Sequence, residues 1–160
     1  NVLASKWPHK VRVFNHSFQY FTTVTTKRYD LIVSNPPYFN NDTKAATKLR
    51  TQAKHTDSLS PIELLEGVQQ LLTEKGIFAL VLPYTEALLF KELALSLGFF
   101  CQQELPVKSM VYKPIKRLLM TFTLYQTDTT VQATLVIGDG RTIGYTADYK
   151  KLTQNFYLAF

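Results

Sequence analysis

Four consecutive residues, Asn35-Pro36-Pro37-Tyr38, have the types and the spacing to bind a planar amine. Two successive prolines fix the backbone φ at about −65° and remove two N–H donors, and each proline also favours an extended conformation in the residue before it. The corner can therefore present the Asn35 side-chain oxygen and the Pro36 carbonyl as converging acceptors, with the Tyr38 ring beside them as a stacking face. Such a site suits the exocyclic amino group of a nucleobase.

The nitrogen of such an amine is a weak nucleophile because its lone pair is delocalised into the ring. Hydrogen bonds accepted from both of its hydrogens would draw the nitrogen out of conjugation, so that the lone pair can attack an electrophile placed opposite. This chemistry depends on alignment and charge placement more than on a metal or a strong base. The alternative for the same residues is a stiff loop that only connects a strand to a helix.

The apolar run Tyr29–Ser34 directly precedes these residues and is typical of a strand covered on both faces of a parallel sheet. Ligands of open α/β sheets bind beyond the carboxyl ends of strands, which is where Asn35 falls. The remaining pattern predicts two helices. The first begins at Ser60-Pro61-Ile62-Glu63 and ends at Gly76, and the second, Glu86–Leu97, is closed by Gly98. It also predicts the strands Val11–Phe14, Ile77–Leu82, Phe99–Val107 and Leu118–Tyr125, and a hairpin within Val131–Ile143 around Gly138-Asp139-Gly140.

This alternation of strands and helices predicts an α/β fold with a parallel sheet, an antiparallel edge and a C-terminal hairpin. The 160 residues, of which 46% are hydrophobic and 19% charged, fit one globular domain over residues 1–160. No apolar run approaches the ~18 residues that a membrane helix needs. The single Cys101 and the scattered histidines give no metal-binding spacing. We therefore expect a cytoplasmic protein without a membrane anchor or a metal.

The charge of the chain is uneven. It carries 18 Lys and Arg against 12 Asp and Glu, a net charge of +6, and the whole excess lies in residues 1–60. Such a field attracts a polyanion, although a solvated basic face is the alternative. The segment after the prolines concentrates side chains that we expect to contact RNA, namely Lys44, Lys48, Arg50, Lys54 and His55. A second group without acidic neighbours consists of Lys108, Lys113, Lys116 and Arg117.

The stretch Asp30–Phe39 resembles motif IV of S-adenosylmethionine-dependent amino methyltransferases. The wider pattern is similar to the bacterial tRNA (adenine-N6)-methyltransferases that act on adenine 37 of a valine tRNA. It comprises SNPPYF, then Arg50, Ala53-Lys54-His55-Thr56 and Ser58-Leu59-Ser60 before a helix. The segment Leu152–Leu158 (LTQNFYL) resembles the carboxyl terminus of that family, and Ser5-Lys6-Trp7 resembles a segment before its third strand.

The resemblance implies a Rossmann-like class I methyltransferase sheet, S-adenosylmethionine as cofactor and tRNA as partner. It also implies catalytic roles for the whole Asn35–Tyr38 motif: Asn35 and the Pro36 carbonyl would accept from the N6 amine, and Tyr38 would stack on an adenine flipped out of its stack. Asn35, the Ser17 side chain and the Phe18 backbone amide would contact the cofactor.

The glycine-rich cofactor loop of that family, and the acid that holds the ribose, have no counterpart in this sequence, which begins about where the third strand should. We therefore expect the C-terminal two-thirds of the catalytic domain, monomeric and weak in cofactor binding by itself. Methyltransferases with the same motif that act on release-factor glutamine, on guanine N2 of rRNA or on adenine in DNA are the alternatives. A non-catalytic RNA-binding fragment is another.

Overall fold

The computed structural model describes residues 2–37, 59–141 and 144–157. Its elements, in chain order, are α1 (Phe18–Val24), β1 (Tyr29–Ser34), α2 (Pro61–Leu71), β2 (Leu72–Pro83), α3 (Tyr84–Ser96), β3 (Phe100–Lys108), β4 (Ile115–Thr123), β5 (Thr130–Val131), β6 (Leu135–Val136) and α4 (Ala147–Thr153). The predicted alternation of strand and helix is confirmed from β1 to β3, and β1 has the predicted bounds.

The strands form a mixed sheet in the order β1-β2-β4-β3-β5, with β6 also paired to β3. Strands β1 and β2 are parallel, whereas β4 runs antiparallel to both of its neighbours, β2 and β3. The α/β class is thereby confirmed. The strand that runs antiparallel is β4, and it lies two positions in from the edge, because β3 pairs outside β4 and the two short strands pair outside β3.

The C-terminal hairpin prediction is only partly right. Strands β5 and β6 do not pair with each other; both add to the outer edge of β3 in parallel, with Gln103 opposite Thr130 and Val107 opposite Leu135. The unpaired edge of β3 offers hydrogen-bonding groups to any extended segment, and both short strands use it. The chain does turn back around Gly140, whose φ is 93°, and a bridge joins Gly138 to Tyr145.

The predicted strand Val11–Phe14 is wrong. Residues 11–15 have no regular structure, and the Val13 side chain is 77% exposed. β-branched and aromatic residues favour a strand only where a neighbouring strand completes the ladder. Among the described residues, none pairs with this segment.

Helix α2 begins as predicted and ends earlier than predicted. Ser60 and Glu63 form a capping box, and Pro61 occupies the first turn. The helix ends at Leu71 rather than Gly76, because Leu72 already pairs with Tyr29 of β1. The next pair is Leu31 with Ile77, so residues 73–76 bulge out opposite Asp30 alone, where the Thr73 hydroxyl donates to the Asp30 carboxylate at 2.9 Å.

The core lies on one face of the sheet, under α2 and α3. Alternate residues of β2 and β4, including Phe78, Leu82 and Phe122, are buried against these helices. The opposite face is open: in β1, Leu31 is 59% and Val33 71% exposed. An apolar groove of about 400 Å³ follows this open face across β1, β2, β4 and β3.

Candidate active site

The Asn35–Pro37 corner lies where the sequence predicts it, directly after β1. Ser34, the last residue of β1, pairs with Leu80 of β2, and the chain leaves the sheet at the next residue. Pro36 is buried, whereas Asn35 and Pro37 are exposed. The buried proline ring therefore anchors the corner, and the Asn35 amide stays accessible at the surface.

Several other segments meet at the same edge of the sheet. Because β1 and β2 are parallel, and β3 runs parallel to β2 through the antiparallel β4, all three end on the side of Asn35. Strand β4 starts there, with Arg117 opposite Pro83. We call this side, which also holds the turn between β3 and β4, the carboxyl edge.

Helix α1 places Ser17 and Phe18 towards the same edge. The connection β1-α2-β2 joins two parallel strands, so α2 must begin at the carboxyl edge and run back. The first turn of α1 lies beside the first turn of α2, since the Gln19 side chain hydrogen-bonds to Glu63. The predicted cofactor residues and the Asn35 corner are thus brought to one end of the sheet.

Ser17 has a structural function in this position. It is the N-cap of α1, and its Oγ accepts a hydrogen bond from the Tyr20 N–H at 3.2 Å. Its hydroxyl proton can still be donated to a ligand. The N–H of Phe18, the first residue of the helix, is among the amides that an α-helix leaves without an internal acceptor.

Glu63 of α2 and Cys101 of β3 have displaced pKa values. Hydrogen bonds from the Ser60 backbone and hydroxyl lower the pKa of Glu63. Burial raises the pKa of the Cys101 thiol to about 11, with a further contribution from the Glu104 carboxylate. Cys101 is therefore a thiol at neutral pH and a poor nucleophile.

Asn35 also lines the apolar groove on the open face. The groove brings Val33 and Asn35 of the β1 end together with residues of the neighbouring strands such as Val81, Leu105 and Leu119. Its walls can exclude water from a flat apolar group but offer few polar partners. Sequence reasoning missed this groove, because residues that alternate in a strand do not show which face stays uncovered.

A second recess, of about 730 Å³, lies beside α1. Its lining includes His9, Lys10, Arg12, His16 and Lys27, and no acidic residue. The excess of basic residues in the first part of the chain had indicated a positively charged surface in this region. The other basic residues that we predict to contact RNA lie outside the described residues, namely Lys44, Lys48, Arg50, Lys54 and His55. Tyr38 also lies outside them.

Within the described parts of the chain, no group of three His, Cys, Asp or Glu side chains could hold a metal ion. In the same parts, every helix is too short or too polar to cross a lipid bilayer.

Comparison with known proteins gave close relatives by sequence, although no protein-family model matched. The chain is 41% identical over 160 residues to a tRNA1(Val) (adenine(37)-N6)-methyltransferase of Trichodesmium erythraeum, and 39% identical over 158 residues to one of Pseudoalteromonas translucida. The matches cover 100% and 99% of this chain, and 66% of each relative.

Among solved structures, a predicted O-methyltransferase from Agrobacterium tumefaciens superposes with a TM-score of 0.59 at 12% identity, covering 84% of this chain and 55% of that one. This likeness supports the Rossmann-like class I methyltransferase fold. The sequence identity of 41% and 39% along essentially the whole chain places the protein in the tRNA1(Val) (adenine(37)-N6)-methyltransferase family.

Proposed function

We propose that the protein transfers a methyl group from S-adenosylmethionine to N6 of adenine 37 in a valine tRNA. The observation that carries this proposal is the corner at the end of β1, where an exposed Asn35 is followed by a buried Pro36. Membership of a family whose curated members are named for this reaction supports it. The chain spans 66% of the length of those relatives, so the activity is proposed here for the protein to which these residues belong.

The corner acts on the amine by accepting its two protons in hydrogen bonds. The Asn35 side-chain oxygen and the Pro36 carbonyl are the two acceptors, and together they turn the nitrogen lone pair towards the methyl donor. Holding the amine in this orientation lowers the barrier without a general base, because the methylated nitrogen is cationic and then releases one proton to water. The adenine must leave its base stack to reach the corner.

The residues present fit one end of the cofactor. The Phe18 N–H can donate to an adenine nitrogen, and the Ser17 hydroxyl can donate beside it. When bound, S-adenosylmethionine supplies an electrophilic methyl group on a positively charged sulfur. Asn35 is the residue that faces both the amine and this methyl group in our proposal.

A nucleic-acid substrate is favoured over a protein substrate by charge. The net charge of +6 and the acid-free lining of the recess beside α1 would attract a polyanion, whereas a glutamine in a release factor does not require such a field. A non-catalytic RNA-binding module shares this charge and differs only in lacking cofactor binding. We also predict that the enzyme is cytoplasmic and monomeric.

Mass spectrometry of tRNA from cells with and without the gene tests the substrate. We expect N6-methyladenosine in the valine tRNA to disappear with the gene and to reappear when the purified protein is incubated with S-adenosylmethionine and that tRNA. Replacement of adenine 37 by guanosine in the transcript should abolish the transfer. Unchanged tRNA together with an altered release factor would overturn the proposal, and tRNA binding without cofactor binding would favour the non-catalytic module.

A further inference from the structure

A smaller recess at the carboxyl edge lies between the end of β2 and the turn that joins β3 to β4. It has a volume of about 390 Å³, and its lining includes Tyr84, Thr85, Ser109, Lys113 and Lys116. We call it the hairpin recess. Both lysines are exposed, so their ammonium groups are accessible to a ligand from solvent.

The electrostatics of the hairpin recess favour an anion. The chain contains no acidic residue from Leu105 to Thr127, and none of the residues that line the recess is acidic. The nearest carboxylate along α3 belongs to Glu86, in the first turn of that helix but outside the lining. Two ammonium groups without a carboxylate between them form a site for a phosphate group.

The start of α3 adds to this preference. Its N-cap residue is Pro83, which makes no side-chain capping hydrogen bond. The next two residues, Tyr84 and Thr85, line the hairpin recess. The first N–H groups, which lack an acceptor within the helix, and the positive end of the helix dipole therefore lie at its wall, in the arrangement that binds phosphate at helix N-termini.

An exposed aromatic ring stands beside the two lysines. Tyr112, at the tip of the turn, is 73% exposed, and the Nζ atom of Lys113 lies 5.5 Å from the centre of its ring. Such a ring stabilises a protein little, because it is scarcely buried. An exposed ring next to a cation is the pattern by which proteins stack single-stranded bases.

The distance to the Asn35 corner matches the spacing of a polynucleotide. The recess lies at the ends of β2 and β4, which are the first and second neighbours of β1. Adjacent strands are about 4.8 Å apart, and β2 runs three residues, about 10 Å, past the Ser34–Leu80 pair to Pro83, which puts the recess roughly 10–15 Å from the end of β1. Nucleotides follow one another at about 3.4 Å along a stacked strand and lie farther apart where a base is flipped out, so roughly two to four nucleotides separate the two sites.

We propose that the hairpin recess binds a backbone phosphate of the RNA roughly two to four nucleotides from the target adenine, and that Tyr112 stacks on a base beside that phosphate. The inference rests on the proposed function for the position of the adenine. Lys113, Lys116 and Tyr112 are positioning residues, which hold the strand while Asn35 acts on the base.

The test compares two charge-matched double variants. Lys113→Gln with Lys116→Gln removes two charges at the hairpin recess, whereas Lys75→Gln with Lys151→Gln removes two exposed charges that lie outside the linings of the hairpin recess and of the recess beside α1. The affinity for the valine tRNA is measured between about 50 and 200 mM KCl. A phosphate contact contributes roughly one unit to the slope of log K against log salt.

We expect the recess variant to bind tRNA about tenfold more weakly at low salt, with a slope smaller by about two units. Its kcat at saturating tRNA should be unchanged, and only KM should rise. Equal losses in both double variants would overturn the inference, because they would show a long-range field instead of a site. Normal tRNA affinity in the recess variant would also overturn the inference. If the wild-type protein then still transfers the methyl group, the proposed function remains intact.

Tyr112 provides an independent readout. Tyr112→Ala should weaken tRNA binding about tenfold, as the loss of one stacked base predicts, while Tyr112→Phe should bind normally because the ring is kept. Equal affinity of the wild type and the alanine variant would refute the stacking. Binding that depends on Lys113, Lys116 and Tyr112 in a protein that transfers no methyl group would support the recess and refute the proposed function.

Discussion

The ring of Phe18 in α1 lies directly against the backbone of Gly67 in α2. A Cβ atom at Gly67 would lie 2.9 Å from Cγ2 of Thr22 and closer still to the Phe18 ring. The absent side chain therefore sets how closely α1 approaches α2. Because Ser17 caps α1, this contact also sets the position of the predicted cofactor residues relative to the carboxyl edge.

Replacement of Gly67 by alanine should force the two helices apart. Overpacking of this kind costs about 1–3 kcal/mol, and the better helix propensity of alanine returns about 1 kcal/mol, so we expect a net loss of about 1 kcal/mol, within a range of roughly 0–2, in the free energy of unfolding. Urea denaturation measures it. Gln70→Ala, at an exposed position of the same helix, is the control and should be nearly neutral. Equal stability of both variants would contradict the close contact.

The charge of Glu63 should stabilise the start of α2 only above acidic pH. The folded state lowers the pKa of Glu63 from its reference value of 4.5, so the stabilisation is present above that value and is lost as the pH falls through the lower folded pKa. Gln in its place keeps an acceptor for the Ser60 N–H without the charge. We expect Glu63→Gln to cost about 0.5 kcal/mol at pH 7, a small effect because the side chain is only partly buried and solvent screens its charge.

Denaturation of both proteins from pH 7 to pH 3 checks this expectation, since the difference in their free energies of unfolding should shrink as the pH falls below 4.5. Glu66→Gln, an exposed position of α2 outside the capping box, controls for the loss of one charge. A difference in the free energy of unfolding that stays constant with pH would contradict the assignment of this stabilisation to the charge of Glu63.

Asn35→Ala should abolish most turnover and leave tRNA binding nearly intact. Removing one hydrogen-bond partner of a reacting group typically costs about 10²–10³ in kcat, whereas the many phosphate contacts that dominate affinity are unaffected. Single-turnover methyl transfer and a binding titration separate the two quantities. Asn35→Asp keeps an acceptor oxygen and should retain part of the rate. Wild-type turnover in the alanine variant would refute the assigned role.

Thr121 and Thr123, two residues apart in β4, should respond oppositely to replacement by valine. The Thr121 hydroxyl oxygen is buried and makes no hydrogen bond within the described structure, whereas the Thr123 hydroxyl donates to the Tyr125 carbonyl at 2.8 Å. Thr121→Val removes an unsatisfied group and should raise the free energy of unfolding by about 1 kcal/mol, while Thr123→Val should lower it by about the same amount. Changes of the same sign would contradict this difference.

The sequence predicted the strand of the site well and the edges of the sheet poorly. Strand β1 and the capping box of α2 follow from local patterns, namely an apolar run before Asn35 and the serine and glutamate at the helix start. The partners of β5 and β6 depend on which edge of the sheet is unpaired, a property of the tertiary fold. For the same reason Val11–Phe14, with good strand propensity, has no regular structure.

The functional residues show the same division. The Asn35 corner was predictable because its chemistry and its position after a strand both lie in consecutive residues. The hairpin recess combines the start of α3 with a turn more than twenty residues later in the chain, so no local pattern could reveal its shape. The acid-free stretch around Lys113 was its one visible signal.

The bulge of residues 73–76 opposite Asp30 lets the molecule tolerate changes of length. An insertion or deletion within a paired strand would move its side chains to the opposite face of the sheet, but here the surplus residues precede Ile77, and pairing with Leu31 resumes after them. Chain length can thus vary at this point while Leu80 stays opposite Ser34. A reporter group could be introduced there, at the end of the molecule remote from the chemistry.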